Sequence, residues 1–362
     1  MRLGLIGWCT ASGNGGMNTD IFTLSDCTTK WLIPKHPKLD FHQPYLREAV
    51  KCGKIYFSDP YKRPEELDDF LSGIDGILYI EHPIYRRGHF NDFDIVQECI
   101  QRDLCVFGIP MWEWWSEEEY WALNTSALWA VTSLTNNYLR SLQVVLETRG
   151  TIPKWSNKVF GNKWGVNLDC FSFRQRHAAR EIVFVAGNGG YKDRKACSIV
   201  IPALNQIASG NAQVTIYSQQ KISDLHEVSP SIHMHECTFP NRMSVYRHGD
   251  IFIFCSFWEG LCHGIYEACY SGGLVLTTDY PPMNECIPAM TIPVIETQTV
   301  SLGKKVAKAV PCMNSLLGTL RGLINSNIED QSTYSHKWVK SNRDLAVTID
   351  EMFYAFSQVI NR

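Results

Sequence analysis

The sequence predicts an α/β protein built on open parallel sheets, with length for two domains. Three observations carry this. The stretch from Asp250 to Asp279 reads as a short apolar run, a loop, a helix and a second apolar run, which is one strand-helix-strand turn of a parallel sheet. Glycine-rich segments follow two predicted strands, at 13–16 and at 187–190. The chain has 362 residues, long for one domain and comfortable for two.

Composition narrows the class. Hydrophobic residues make up 45% and charged residues 20%, as in ordinary soluble proteins. The net charge of −3 gives no global basic field for nucleic acid or membrane. Eleven Trp and 15 Tyr exceed what a minimal core needs, so some are expected in a binding cleft. Thirteen cysteines, with no Cys-x-x-Cys pair, read as free thiols in a reducing compartment, and the expected location is cytoplasmic. Met1 to Gly7 reads as a strand rather than a signal peptide, and no apolar run approaches the roughly 20 residues that span a bilayer.

Along the chain, Leu3 to Ile6 is the first strand. Gly13, Gly15 and Gly16 follow in an expected loop, with a helix from about Asn18 to Asp20. Such a loop lets backbone approach a ligand closely, but its spacing is not that of a dinucleotide fingerprint. Residues 30 to 63 read as irregular, with Lys30, Lys35, Lys38, Arg47, Lys51, Lys54, Lys62 and Arg63 among aromatic side chains. They suit a solvated face or a polyanion-binding edge. Ile77 to Ile80 is a strand ending in Glu81 and His82, where His82 is either a core histidine or an acid-base group. Asp92 and Asp94 imitate a metal-binding Asp-x-Asp but sit at a helix start, where aspartate caps. Trp112, Trp114, Trp115 and Trp121 follow the strand Leu104 to Ile109 and either line a ring-binding site or pack a loop. Leu128 to Thr132 is a strand and Thr135 to Thr148 a helix.

In the second half, Glu181 to Ala186 is a strand. The segment 187–195 then brings Lys192, Arg194 and Lys195 to a helix start near Cys197, a combination of backbone donors and fixed cations that suits a diphosphate. His233, His235 and Cys237 alternate along a strand without a fourth ligand, so no metal is assigned to them.

The Asp250–Asp279 unit carries the chemistry. Glu259 lies in the loop after the strand Ile251 to Phe254, where open α/β sheets bind ligands. Glu267 lies in the first turns of the next helix, whose leading amides, from Leu261 through Cys262 and His263 to Gly264, favour an anion. Two hydroxyl-accepting carboxylates around a phosphate-binding helix start suit a nucleotide sugar. The plainer alternative is that Glu267 stabilises a helix start and Glu259 is a solvated loop charge.

Ser256, Glu259, Gly260, Glu267, Ala268 and Gly272 match at fixed offsets. On these residues the chain resembles the retaining glycosyltransferases of GT-B fold with a Glu-x7-Glu motif, the glycosyltransferase group 1 type. The resemblance is strong over about 165 to 300 and weak before 150. It implies two Rossmann-like domains facing across a cleft: an acceptor domain over 1–150, a linker over 151–164, a donor domain over 165–335, and a helical segment over 336–362 crossing back to the first. It implies sugar transfer from a nucleotide-diphosphate sugar to an acceptor hydroxyl with retention and no required metal or other cofactor. Glu259 would orient the sugar and Glu267 hold the ribose. Lys192, Arg194, Lys195 and the amides of 261–264 would hold the diphosphate, with Gly15 and Gly16 facing it and His82 on the acceptor side. Asn188 stands where the family has arginine, so Lys192 or Arg194 takes that role.

The specific acceptor expected is a hydroxymethylated DNA base, from the basic and aromatic stretch 30–63, Arg86, Arg87 and the tryptophans. The alternatives are a saccharide or small-molecule acceptor, and a non-catalytic protein keeping a nucleotide-sugar pocket. A nicotinamide-dependent enzyme would need the whole Gly-x-Gly-x-x-Gly fingerprint, which neither glycine-rich segment supplies.

Overall fold

In the computed structural model, all residues are described except 11, 36–40, 86–92, 114, 116–119, 188–192, 209, 211, 239–241, 302–304 and 361–362. The chain divides into two compact units, Met1–Trp164 with Ala346–Arg362, and Gly165–Leu345.

The first unit alternates strand and helix. It runs β1 (Leu3–Ile6), α1 (Gly13–Leu24), β2 (Thr28–Pro34), α2 (Gln43–Ala49), β3 (Lys54–Ser58), α3 (Leu67–Leu71), β4 (Gly76–Ile80) and α4 (Ile95–Gln101). It continues through β5 (Cys105–Ile109), α5 (Tyr120–Asn124), β6 (Ala127–Trp129), α6 (Ser133–Thr148) and β7 (Val159–Phe160). The seven strands pair in parallel in the order 3-2-1-4-5-6-7. β1 and β4 are fully buried, which fits their unbroken apolar runs. Residues 151–164 pack within this unit: Trp155 is buried and β7 extends the sheet beside β6.

Three expectations change here. The described residues of 30–63 include most of β2 and all of α2 and β3, rather than being irregular throughout. Trp115 and Trp121 are core residues, edge to face with ring centroids 5.6 Å apart, and Trp155 lies 5.7 Å from Trp115. Trp112 is buried as well, and Trp114 lies outside the described residues.

The third is the glycine-rich segment, which is a helix start rather than a loop. Ser12 caps α1 by accepting the Gly15 amide at 3.2 Å. A Cβ on Gly15 would lie 1.9 Å from the Thr10 carbonyl oxygen, so that position admits only glycine without backbone movement. Gly15→Ala is expected to destabilise this unit by about 1–3 kcal/mol through overpacking. Urea denaturation checks it, and an unchanged midpoint would count against the close approach.

The second unit repeats the pattern with β8 (Glu181–Gly187), α7 (Cys197–Ala208), β9 (Gln213–Ser218), β10 (Ile232–Glu236), β11 (Ile251–Phe254), α8 (His263–Tyr270), β12 (Leu274–Thr278) and β13 (Met290–Ile292). Its six parallel strands run in the order 10-9-8-11-12-13. An antiparallel hairpin of β14 (Val294–Ser301) and β15 (Lys305–Pro311) follows, then α9 (Met313–Leu323), α10 (Glu329–Asn342) and α11 (Leu345–Ile360). From Ala346 onward α11 belongs to the first unit, where Phe356 stacks on Phe107 with centroids 4.4 Å apart and Lys163 pairs with Glu351 at 2.9 Å.

The strand order reverses between β8 and β11. In open α/β sheets that switch point, at the carboxyl ends of the strands, is where ligands bind. The loops after β8 and β11 meet there.

Candidate functional site

β11 is four buried apolar residues, and its loop turns through Cys255 to Cys262 before α8 begins. Three backbone ties fix that loop. The Ser256 amide donates to Thr278 Oγ1 at 3.0 Å, the Phe257 amide to the Arg194 carbonyl at 2.8 Å, and the Ala309 amide of the hairpin to the Phe257 carbonyl at 2.8 Å. Lys308 lies over the Phe257 ring, 4.1 Å from its centroid. The loop after β11 is thus joined to the loop after β8 and to β15.

Glu259 is buried in this loop. Lys195 donates to its Oε1 at 2.5 Å and Ser256 Oγ to the same oxygen at 2.8 Å, while an Arg194 guanidinium nitrogen lies 3.4 Å from Oε2. Burial pushes the carboxyl pKa up, but Arg194, Lys195 and the two hydrogen bonds outweigh it and hold it below the ordinary glutamate value. Glu259 is therefore a charged carboxylate in a cationic setting, not a solvated loop charge.

Glu267 lies in the second turn of α8, also buried. Arg242 donates to its Oε1 through NH2 and through Nε at 3.1 Å, and the Tyr246 hydroxyl donates to Oε2 at 2.8 Å. Burial raises this pKa too, and Arg242, His263 and the Tyr246 hydrogen bond bring it below the ordinary value. His263 Nε2 donates to the Gly165 carbonyl at 2.8 Å, and its Nδ1 lies 3.4 Å from Arg242 NH2 and 3.5 Å from Glu267 Oε1. A Cβ on Gly264 would meet the Phe254 ring at 2.6 Å and the Tyr246 hydroxyl at 2.9 Å, so glycine lets α8 lie close over β11.

Cys262 caps α8 with φ +58°, a left-handed conformation that costs a non-glycine residue of order 1 kcal/mol or more. The amides of His263 and Gly264 open the first turn, where a helix has no intrahelical acceptors for them. Leu261 and Cys262 themselves are buried.

These elements match solved structures closely in shape and remotely in sequence. A sucrose-phosphate synthase from Thermosynechococcus elongatus aligns with a TM-score of 0.66 at 13% identity, over 99% of this chain and 100% of that one. A glycosyltransferase from Rickettsia africae ESF-5 aligns at 0.65 and 13%, over 99% of each. A putative UDP-N-acetylglucosamine 2-epimerase from Listeria monocytogenes aligns at 0.58 and 11%, over 99% of this chain and 96% of that one. The fold is GT-B. No protein-family model matches the sequence, and no curated protein matches it.

Within the GT-B framework the other expected site residues fall as follows. Gly15 and Gly16 lie in the first turn of α1, at the carboxyl end of β1. His82 lies just past β4, half-buried, with its ring centroid 6.4 Å from that of Trp121 and its amide donating to the Ile80 carbonyl at 2.9 Å. Lys192, Asn188, Asp92, Arg86, Arg87 and Lys38 lie outside the described residues. Asp94 caps α4, accepting the Val96 and Gln97 amides at 2.9 and 3.0 Å. His233 and His235 are exposed on β10, with His235 stacked on Tyr217.

Four cations of the basic stretch have acidic or carbonyl acceptors. Lys54 pairs with Asp69, Lys62 with Asp59, and Arg63 with Asp68 and Glu98. Lys30 donates to the Asp69 and Ser72 carbonyls. Sequence reasoning missed Arg242 and Tyr246. They lie 25 and 21 residues before Glu267, in a short 3-10 turn that carries no local pattern. Among the described residues no helix is long and apolar enough to cross a membrane.

Proposed function

We propose that this protein transfers a glycosyl group from a nucleotide-diphosphate sugar to an acceptor hydroxyl, with retention of configuration. The observation that carries the reading is the pairing at the switch point: buried Glu259 held by Lys195 and Arg194, with Glu267 eight residues on held by Arg242. An incoming diphosphate offers Lys195 and Arg194 an alternative anionic partner. Their release from Glu259 frees that carboxylate to accept sugar hydroxyls. Glu267 in this reading accepts ribose hydroxyls alongside its bonds from Arg242 and Tyr246. The cations and the leading amides of α8 stabilise charge on the departing diphosphate, so catalysis is positioning and electrostatic stabilisation without a divalent ion at the phosphates. The Rickettsia africae protein with the same fold is a glycosyltransferase, which supports this reading.

Four of the eight cations of 30–63, Lys30, Lys54, Lys62 and Arg63, are engaged by acidic or carbonyl groups, and the net charge is −3, which together favour a saccharide or small-molecule hydroxyl over a hydroxymethylated DNA base. One assay tests both. A panel of nucleotide sugars is incubated with candidate acceptors, including duplex DNA carrying 5-hydroxymethylcytosine, and products are read by mass. Transfer is expected with one donor class, with the same rate in magnesium, manganese or a magnesium chelator. A steep loss of DNA binding with salt plus a sugar-sized mass gain on the base would establish the DNA acceptor. Conversion of the nucleotide sugar to an isomer, with no acceptor gaining mass, would replace transfer by the epimerase chemistry named for the Listeria protein.

A further inference from the structure

A second cluster of ligating side chains lies beside the loop after β8. Asp193, Cys197 and His226 bring a carboxylate oxygen, a thiol sulfur and an imidazole nitrogen within 4.8 Å of one another. They come from two segments. Asp193 sits in the turn before α7 with φ +56°, and Cys197, buried, opens that helix. His226, half-buried, follows the short turn Ile222–Asp224 beyond β9. The Asp193 carboxylate is already oriented, because its two oxygens lie 3.3 and 3.2 Å from the Ser198 amide that donates to it. That cap uses one side of the carboxylate and leaves lone pairs on both oxygens.

Capping explains Asp193 alone. It does not explain why a thiol and an imidazole from another segment converge on the same carboxylate. We propose that Asp193, Cys197 and His226 bind a zinc ion. Thiolate, imidazole and carboxylate are the three side chains zinc takes, and three protein ligands leave a fourth position for water. Zinc bonds of ordinary length put ligand atoms about 3.3–3.7 Å apart, so the cluster contracts by at most roughly 1.5 Å. Binding forms a zinc–thiolate bond and releases the Cys197 proton to solvent. The ion would join the segment carrying Arg194 and Lys195 to the turn after β9, fixing the backbone from which both cations reach Glu259. The zinc site stands apart from the transferase reading, which places no metal at the phosphates.

The test uses the full chain, stripped of metal by dialysis and titrated with cobalt as a spectroscopic substitute. A thiolate-to-cobalt charge-transfer band is expected, saturating at one equivalent and displaced by zinc. Cys197→Ser should abolish the band. His226→Ala should weaken cobalt binding at least about tenfold, and Cys237→Ser, at an exposed free cysteine, should leave it unchanged. No band in the unmodified protein, or a band that survives Cys197→Ser, overturns the site. If Cys197→Ser fails to fold by circular dichroism, His226→Ala decides, and unchanged affinity in that variant overturns the proposal.

Discussion

Lys195→Ala is expected to lower sugar transfer about 10²–10³-fold and to destabilise the second unit by about 3–5 kcal/mol. Both effects come from one contact. Lys195 lies 2.5 Å from Glu259, and the two side chains are 13% and 5% exposed. Removing the lysine strands a buried carboxylate, which costs more than the pair itself contributes. Arg194 stays 3.4 Å from the other oxygen, so the stability loss should fall at the low end. The catalytic loss has a separate origin, because a cation is missing where the diphosphate departs. The double variant Lys195→Ala/Glu259→Gln separates the two. It should recover most of the stability, read by urea unfolding, and none of the turnover, read by nucleoside diphosphate release. Wild-type turnover in Lys195→Ala would remove this lysine from the chemistry.

The second large effect belongs to Glu267. Glu267→Gln is expected to weaken nucleoside diphosphate binding by about 1.5–3 kcal/mol, the worth of a hydrogen bond to a charged acceptor. That is about 10–150-fold in Kd, measurable by calorimetry. Tyr246→Phe removes one donor to Glu267 but keeps the carboxylate and should cost less. The pH dependence has a definite sign. The Glu267 pKa is depressed in the folded state, so its contribution is fully present above the ordinary value of 4.5 and lost as pH falls through the folded value. The stability difference between wild type and Glu267→Gln should therefore be constant at neutral pH and fade below about pH 4.5. A difference that grows in acid would contradict the Arg242 pairing.

What the sequence revealed follows from how local each signal is. The unit β11-α8-β12 was legible because an apolar run, a loop with glycine, a short helix and a second apolar run are all consecutive. The capping role of Asp94 was legible for the same reason. The start of α1 was not, since three glycines within four residues argue for a loop until Ser12 is seen capping the Gly15 amide. Trp115 and Trp121 look the same in sequence whether they line a site or fill a core, and burial alone separates these cases. The partners of the two carboxylates divide in the same way. Lys195 and Arg194 were found because a glycine-rich segment with cations has a recognisable composition. Arg242 was missed because a single arginine in an irregular turn has none. The hairpin of β14 and β15 was also overlooked, although it is tied to the Glu259 loop through Ala309.

The return of α11 bears on the order in which the molecule can be made. Phe107 and Phe356 stack in one core, yet the whole of Gly165–Leu345 lies between them in the chain. At ribosomal speeds of roughly 5–20 residues per second, the first ring waits on the order of 10–50 s for the second. During that interval the nascent first unit presents an uncovered aromatic surface, a natural target for chaperones. A fragment ending at Trp164 would keep that surface permanently, so the first unit is expected to be soluble and complete only in a chain that has already produced the second.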